Sequence, residues 1–266
     1  MIERNIIYNE KKINFSDTGK GDAVVFLHGF LESLIIWRSF SEKLSANYRV
    51  ICIDLPGHGK SDGFSDIHTM ESMAEGVKSV LDHLNIEKCA LIGHSMGGYV
   101  TLAFADLYPG YLSGIGLFHS AAHADSPEAA SNRERAIQAI QSDHTQFITH
   151  FIPDLFAKAH VSSYQKEINI LKEIALTIEK ENIIAALKGM KQRKDNRPLL
   201  KNMEIPVFFI IGKEDSRIPT DLAKEQVGLP KNSSMLLLEE VGHMGYIEAA
   251  EETFQFIEDF LKKVEF

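Results

Sequence analysis

The sequence predicts an α/β fold in which helices flank a mostly parallel sheet. Three observations carry that expectation. Short, continuous apolar runs alternate with helical periodicity through residues 1–120. A stretch with only helical periodicity, residues 121–200, interrupts the alternation, which resumes over 201–266. Several apolar runs end abruptly in Gly, His or Asp, as strands do when their carboxyl ends open onto a site. Continuous apolar runs suit strands buried on both faces. Their alternation with helices means a parallel sheet covered by crossovers.

In chain order, Ile6, Tyr8, Ile13 and Phe15 alternate loosely before the turn-forming Thr18-Gly19-Lys20-Gly21-Asp22, which predicts an opening antiparallel pair of strands. Ala23–Leu27 is a buried strand ending in His28-Gly29-Phe30. Trp37, Phe40 and Leu44 share one helical face over 37–46. Val50–Ile53 is a further strand, followed by Asp54-Leu55-Pro56-Gly57-His58-Gly59-Lys60-Ser61, read as a structured loop. Met73, Val77, Val80, Leu81 and Leu84 recur at three- and four-residue steps, predicting a helix over 70–84. Cys89–Gly93 is the next strand, Met96–Leu107 a tightly packed helix, and Ile115–Phe118 another strand. Helices are expected over 127–141, 162–177 and 181–191, with the charged run 191–197 as a solvated loop. The alternation returns with a strand over 205–212, a helix over 220–227, a strand over 235–238 and a closing helix over 248–263.

Composition narrows the function. The chain has 266 residues, 44% hydrophobic and 24% charged, with a net charge of -9. That balance lacks the basic face of a nucleic-acid binder and gives no attraction to an anionic membrane. Cys52 and Cys89 both lie in apolar runs, so two buried thiols are expected in place of a disulfide or metal site. With no secretory leader pattern and no long apolar span, the expected location is the cytoplasm.

The chemistry centres on Gly93-His94-Ser95-Met96-Gly97, where an apolar run meets a helix. A G-x-S-x-G match alone arises in roughly one chain in ten of this length. Its setting gives it meaning: a serine on a strained strand-to-helix turn has its hydroxyl pushed clear of the sheet. Serine is too weak an acid to attack an acyl carbon without a base and a group that orients the base. Such partners belong just after other strands. His243 follows the strand ending near Leu238, and Asp215 follows the strand ending at Gly212, with Glu214 a rival that spacing does not remove. The order Ser95, Asp215, His243 is that expected on this kind of sheet. His119 also follows a strand, but the nearest carboxylate in sequence is Asp125. A tetrahedral oxyanion needs two fixed N–H donors. The backbone amides of Met96 and Phe30 are the candidates.

With these pieces in place, the chain resembles the α/β-hydrolase fold superfamily, specifically a serine carboxylesterase-like enzyme with a helical cap. The resemblance rests on His28-Gly29-Phe30, the 54–61 loop, Gly93 to Gly98, Gly212-Lys213-Glu214-Asp215-Ser216-Arg217-Ile218-Pro219 and Gly242-His243, which span nearly the whole chain in the family's order. It implies an eight-stranded, mostly parallel sheet, a core of 1–120 and 201–266, and residues 121–200 as a cap inserted after the sixth strand. It also implies Asp215, at the G-x-x-D position, as the acid. A serine nucleophile points away from the family's dehalogenases and epoxide hydrolases, which use aspartate.

The expected activity is hydrolysis of small or medium carboxylic esters through an acyl-enzyme, with no cofactor and no metal, on a small-molecule substrate and with no nucleic-acid or membrane partner. Lactone hydrolysis, C–C bond hydrolysis of diketones and perhydrolysis use the same residues. A ligand-binding receptor on the same fold is the non-enzyme alternative, separable by reaction of Ser95 with an active-site label. Residues beside the motifs, His28, Leu31, His94, His119 and Met244, are pocket candidates, with Phe151 from the insertion. The sequence sets neither the natural substrate nor the oligomeric state.

Overall fold

A computed structural model describes residues 1–266. The opening strands β1 (Glu3–Tyr8) and β2 (Lys11–Thr18) form an antiparallel hairpin, and β2 pairs antiparallel with β4 (Arg49–Ile53). From there the sheet is parallel: β4, β3 (Ala23–Leu27), β5 (Cys89–His94), β6 (Leu112–Phe118), β7 (Val207–Gly212) and β8 (Ser233–Leu238). The full order is β1-β2-β4-β3-β5-β6-β7-β8. Every residue of β3, β5, β6 and β7 is buried, which is why their sequences are continuous apolar runs. The outermost strands β1 and β8 are partly exposed.

Helices α1 (Arg38–Leu44), α2 (Met70–His83) and α3 (Met96–Leu107) connect the first strands. Thr69 caps α2, its hydroxyl accepting the Ser72 N–H at 3.1 Å. The apolar stripe of α2 buries Met73, Val77, Val80 and Leu81, as the three- and four-residue spacing requires. Cys52 and Cys89 are free and buried, and burial pushes both thiols up to about 12.

The helical insert leaves the sheet after β6. It contains α4 (Pro127–Phe151), α5 (Gln165–Leu176), α6 (Lys180–Gln192) and α7 (Arg197–Lys201). Two details differ from expectation. Periodicity ends the first of these helices near Gln141, but the chain breaks at Asp143 (φ -153°, ψ 95°) and continues helical to Phe151. The Asp143 carboxylate restarts the helix by accepting the Gln146 N–H at 2.9 Å. The charged run expected as loop leads into α7, which is too short to show a repeat.

After β7 come α8 (Thr220–Val227), β8, and then α9 (Gly245–Glu248) and α10 (Ala250–Leu261). These last two replace the single closing helix expected over 248–263, because Ala249 (φ -139°, ψ 48°) is not helical. No helix is long and apolar enough to cross a membrane.

Candidate active site

Ser95 sits between β5 and α3 with φ 51° and ψ -114°, a left-handed φ that a serine adopts at an energetic cost. The strain is held by neighbours. The Ser95 N–H donates to the Phe118 carbonyl at 2.9 Å, and the Ser120 hydroxyl donates to the Ser95 carbonyl at 2.8 Å. The turn closes tightly enough that a Cβ on Gly93 would lie 2.2 Å from the Gly97 carbonyl carbon.

His243 follows β8 and Asp215 follows β7. The His243 Nδ1–H donates to Asp215 Oδ2 at 2.8 Å, which leaves Nε2 as the basic nitrogen. Asp215 Oδ1 accepts the N–H groups of Arg217 and Ile218 at 2.8 and 2.9 Å. Burial alone would raise the Asp215 pKa, but His243 and His119 outweigh it and hold the carboxyl well below the usual carboxylate range. Glu214 is exposed and its backbone N–H bonds Val241, so the structure brings Asp215 and not Glu214 to His243. Ser95 and His243 open onto one cavity of about 490 Å³. The Oγ–Nε2 hydrogen bond is not made here, and such bonds commonly tighten only around a substrate.

His119 departs from the sequence reading. Its Nδ1–H donates to Asp215 Oδ2 at 3.0 Å, so its orienting carboxylate is the distant Asp215 and not Asp125. Its Nε2 has no partner, and burial first of all lowers its pKa to about 4, so the ring is neutral. The reactive atoms of His119, Asp215 and His243 lie within 4.8 Å of one another, a spacing that could also hold a metal ion. Two hydrogen bonds to Oδ2 and two to Oδ1 account for that proximity without one.

The amides of Phe30 and Met96 donate to no protein acceptor, so both are free for an incoming oxygen. The Gly29 N–H, by contrast, is taken by Glu32 Oε2 at 2.6 Å. Glu32 is a residue the sequence reading missed. Its Oε2 also meets His94 Nδ1 at 2.9 Å, and its Oε1 accepts the Tyr246 hydroxyl at 2.9 Å. His94 Nε2 in turn lies 2.9 Å from the His243 carbonyl. A carbonyl can only accept, so Nε2 carries a proton. Burial opposes both charges, but the pair overcomes it: Glu32 is held below and His94 above its ordinary pKa. Both ring nitrogens of His94 thus face acceptors, an arrangement that favours the protonated ring.

Glu248 is the second residue missed. Its buried carboxylate accepts the N–H groups of Gly242 at 3.0 Å, Met244 at 3.3 Å and Ala157 at 2.9 Å, and meets His160 at 3.2 Å. The His243 N–H donates to the Leu155 carbonyl at 2.7 Å. The loop bearing His243 is thus fastened directly to the insert.

Of the pocket candidates, His94 and Phe151 line the cavity. His28, Leu31, His119 and Met244 do not; all four are fully buried beneath it. His28 is occupied as an acceptor for the Leu55 N–H at 2.9 Å, and His119 by Asp215. Adjacency to a motif placed them near the site, but alternate residues on a loop turn into the core. The walls come mainly from α4 and α6, through Phe147, Leu187 and Met190, with Phe30 and Tyr99 from the core.

Residues 22–250 match the model of the alpha/beta hydrolase fold family. The chain is similar over its whole length to a thermophilic esterase from Thermogutta terrifontis, at 30% identity and a TM-score of 0.93, with 100% of each chain covered. It is 30% identical over 267 residues to the 2-hydroxy-6-oxononadienedioate/2-hydroxy-6-oxononatrienedioate hydrolase of Paraburkholderia phymatum, covering 95% of this chain and 91% of that protein. It is also 32% identical over 247 residues to the dihydrolipoyllysine-residue acetyltransferase component of the acetoin cleaving system of Pseudomonas putida. That match covers 91% of this chain but spans only 64% of the longer protein.

Proposed function

The chain belongs to the α/β-hydrolase fold family, and we propose that it hydrolyses carboxylic esters of small or medium molecules through an acyl-enzyme on Ser95. The observation that carries this reading is the convergence on one cavity of a strained serine, an imidazole oriented by a buried carboxylate at 2.8 Å, and Phe30 with an uncommitted main-chain N–H; the uncommitted Met96 N–H directly follows Ser95.

Ser95 Oγ attacks the acyl carbon while His243 Nε2 takes its proton. The tetrahedral oxyanion accepts from the Phe30 and Met96 amides, each donor contributing on the order of 3 kcal/mol to the transition state. Collapse expels the alkoxide, which takes the proton back from His243. Water then gives a proton to His243 and attacks the acyl carbon, releasing the acid and restoring Ser95. Asp215 keeps the proton of the neutral base on Nδ1 and stabilises the imidazolium. His119, sharing the same Oδ2, holds Asp215 in place. The helical insert acts as the cap that selects the substrate.

Pre-steady-state hydrolysis of 4-nitrophenyl acetate tests the reading. A burst of one nitrophenolate per chain supports an acyl-enzyme, and no nitrophenolate release above background contradicts it. The resemblance to the Paraburkholderia phymatum hydrolase supports C–C bond hydrolysis as a second reading on the same residues. A chain-length series of esters beside a set of lactones and diketones separates the two by kcat/KM.

A further inference from the structure

We propose that the cavity over Ser95 takes substrates bearing a free carboxylate, and that Arg217 holds that carboxylate, an inference that rests on the hydrolase reading above. The chain is acidic overall, with a net charge of -9, yet its cavity wall carries Arg133, Arg135 and Arg217 against the single carboxylate of Glu32. Glu32 is fully engaged by His94, Gly29 and Tyr246. A locally cationic cleft in an anionic protein favours entry of anions.

The three guanidiniums differ in what they already hold. Arg133 forks onto Asp125 at 2.5 and 3.2 Å, and Arg193 pairs with the same carboxylate. Arg135 bonds only the neutral side chains of Asn132 and Ser131. The Arg217 guanidinium makes no hydrogen bond and has no carboxylate within ion-pairing reach; its contact is the Phe151 ring face, 4.3 Å away. The Phe151 ring packs edge-on against Phe30, at 5.8 Å and 88°. Arg217 therefore shares an aromatic wall with a proposed oxyanion donor.

Its backbone is fixed while its charged end makes no hydrogen bond. The Arg217 N–H donates to Asp215 Oδ1 at 2.8 Å, and the adjacent Ser216 hydroxyl donates to the Asp154 carbonyl at 2.6 Å. Arg217 remains exposed at the cavity mouth, and partial loss of water beside the aromatic wall lowers its pKa, with Asp154 and Asp215 opposing. Asp215 is already saturated by four donors. An exposed guanidinium whose only side-chain contact is an aromatic ring face, and whose planar fork matches a carboxylate, is free to bind an incoming carboxylate.

The experiment compares kcat/KM for monoethyl adipate and for its uncharged isostere, in which the distal carboxylate is a carboxamide. The wild type favours the anionic ester by tenfold or more, and the preference shrinks as salt is added. Arg217→Gln lowers the anionic-to-neutral ratio by about 10- to 100-fold, Arg217→Lys lowers it less, and Arg217→Glu inverts it. Circular dichroism melts report whether each variant is folded. A wild type that prefers the amide, a ratio unmoved by Arg217→Gln, or a ratio lost in Arg135→Gln instead, overturns the assignment. If wild-type enzyme hydrolyses neither ester nor 4-nitrophenyl acetate, the hydrolase reading itself fails. Turnover of neutral esters without a charge preference removes only the Arg217 inference.

Discussion

His94 Nε2 donates to the main-chain carbonyl of His243 across 2.9 Å, so the residue before the proposed nucleophile grips the backbone of the proposed base. Its other nitrogen is fastened to Glu32, which also holds the Gly29 amide beside the Phe30 donor. One buried ion pair thus joins the three loops that must stay in register. Glu32→Ala leaves buried His94 without the carboxylate that favours its protonated form and is expected to cost about 3 to 5 kcal/mol of stability. Urea unfolding of the variant measures this. A loss below 1 kcal/mol would show that the pair is not the fastening described.

Glu248 joins the insert to the His243 loop through four donors. In Glu248→Gln an amide NH₂ must face some of those N–H groups. The expected loss is about 2 kcal/mol of stability, and kcat falls by up to about 100-fold as His243 shifts. Steady-state kinetics on a neutral ester, read beside a thermal melt, checks both. An unchanged kcat would separate the loop's anchoring from catalysis.

Gly189 lies on α6, where a Cβ would stand 1.6 Å from the His68 carbonyl oxygen. It is a site of close packing between insert and core. Gly189→Ala must push α6 away from the 68–69 backbone. The expected outcome is faster amide exchange over 180–192 and a lower melting temperature. Exchange as slow as in the wild type would contradict that contact.

Acid should unfold this protein early. Burial lowers His58 to about 3 and His68 and His119 to about 4, all below the usual 6.5. Between pH 6.5 and 4 the unfolded chain binds protons on these rings and the folded chain does not. Stability therefore falls as pH falls through that window, by on the order of 3 kcal/mol for each fully buried ring by pH 4. Asp215, whose folded pKa is depressed, adds stability above its unfolded pKa that is lost only at lower pH. His94 has the opposite sign: its raised pKa stabilises the fold at low pH and is lost as pH rises through the folded value. Melting temperatures from pH 7 to pH 4.5 test this, and a flat profile would contradict the buried neutral histidines.

The fold was legible wherever one local period decided the structure. Two-sided burial writes β3, β5 and β7 as unbroken apolar runs, and the buried stripe of α2 writes its own spacing. Ser95 was legible because it closes such a run, and His243 because it follows a strand; Asp215 was separated from Glu214 only by the resemblance, since spacing left both open. What stayed hidden depends on distant pairing. His119 meets Asp215 from 96 residues away, and Glu32 meets Tyr246 from 214. No window of sequence contains either contact. The cavity wall was partly hidden for another reason: α4 breaks at Asp143, and its continuation is what carries Phe147 and Phe151 to the site. Arg217 stood in plain view two residues after Asp215, but the emptiness around its charge is a property of the folded surroundings.

The most direct measurement is labelling with a fluorophosphonate followed by mass spectrometry of the intact chain and its peptides. The proposed mechanism predicts one adduct per chain, on Ser95, none in Ser95→Ala, and greatly slowed labelling in His243→Ala. A wild-type chain that stays unlabelled, or an adduct on any other residue that persists in Ser95→Ala, would contradict Ser95 as the nucleophile.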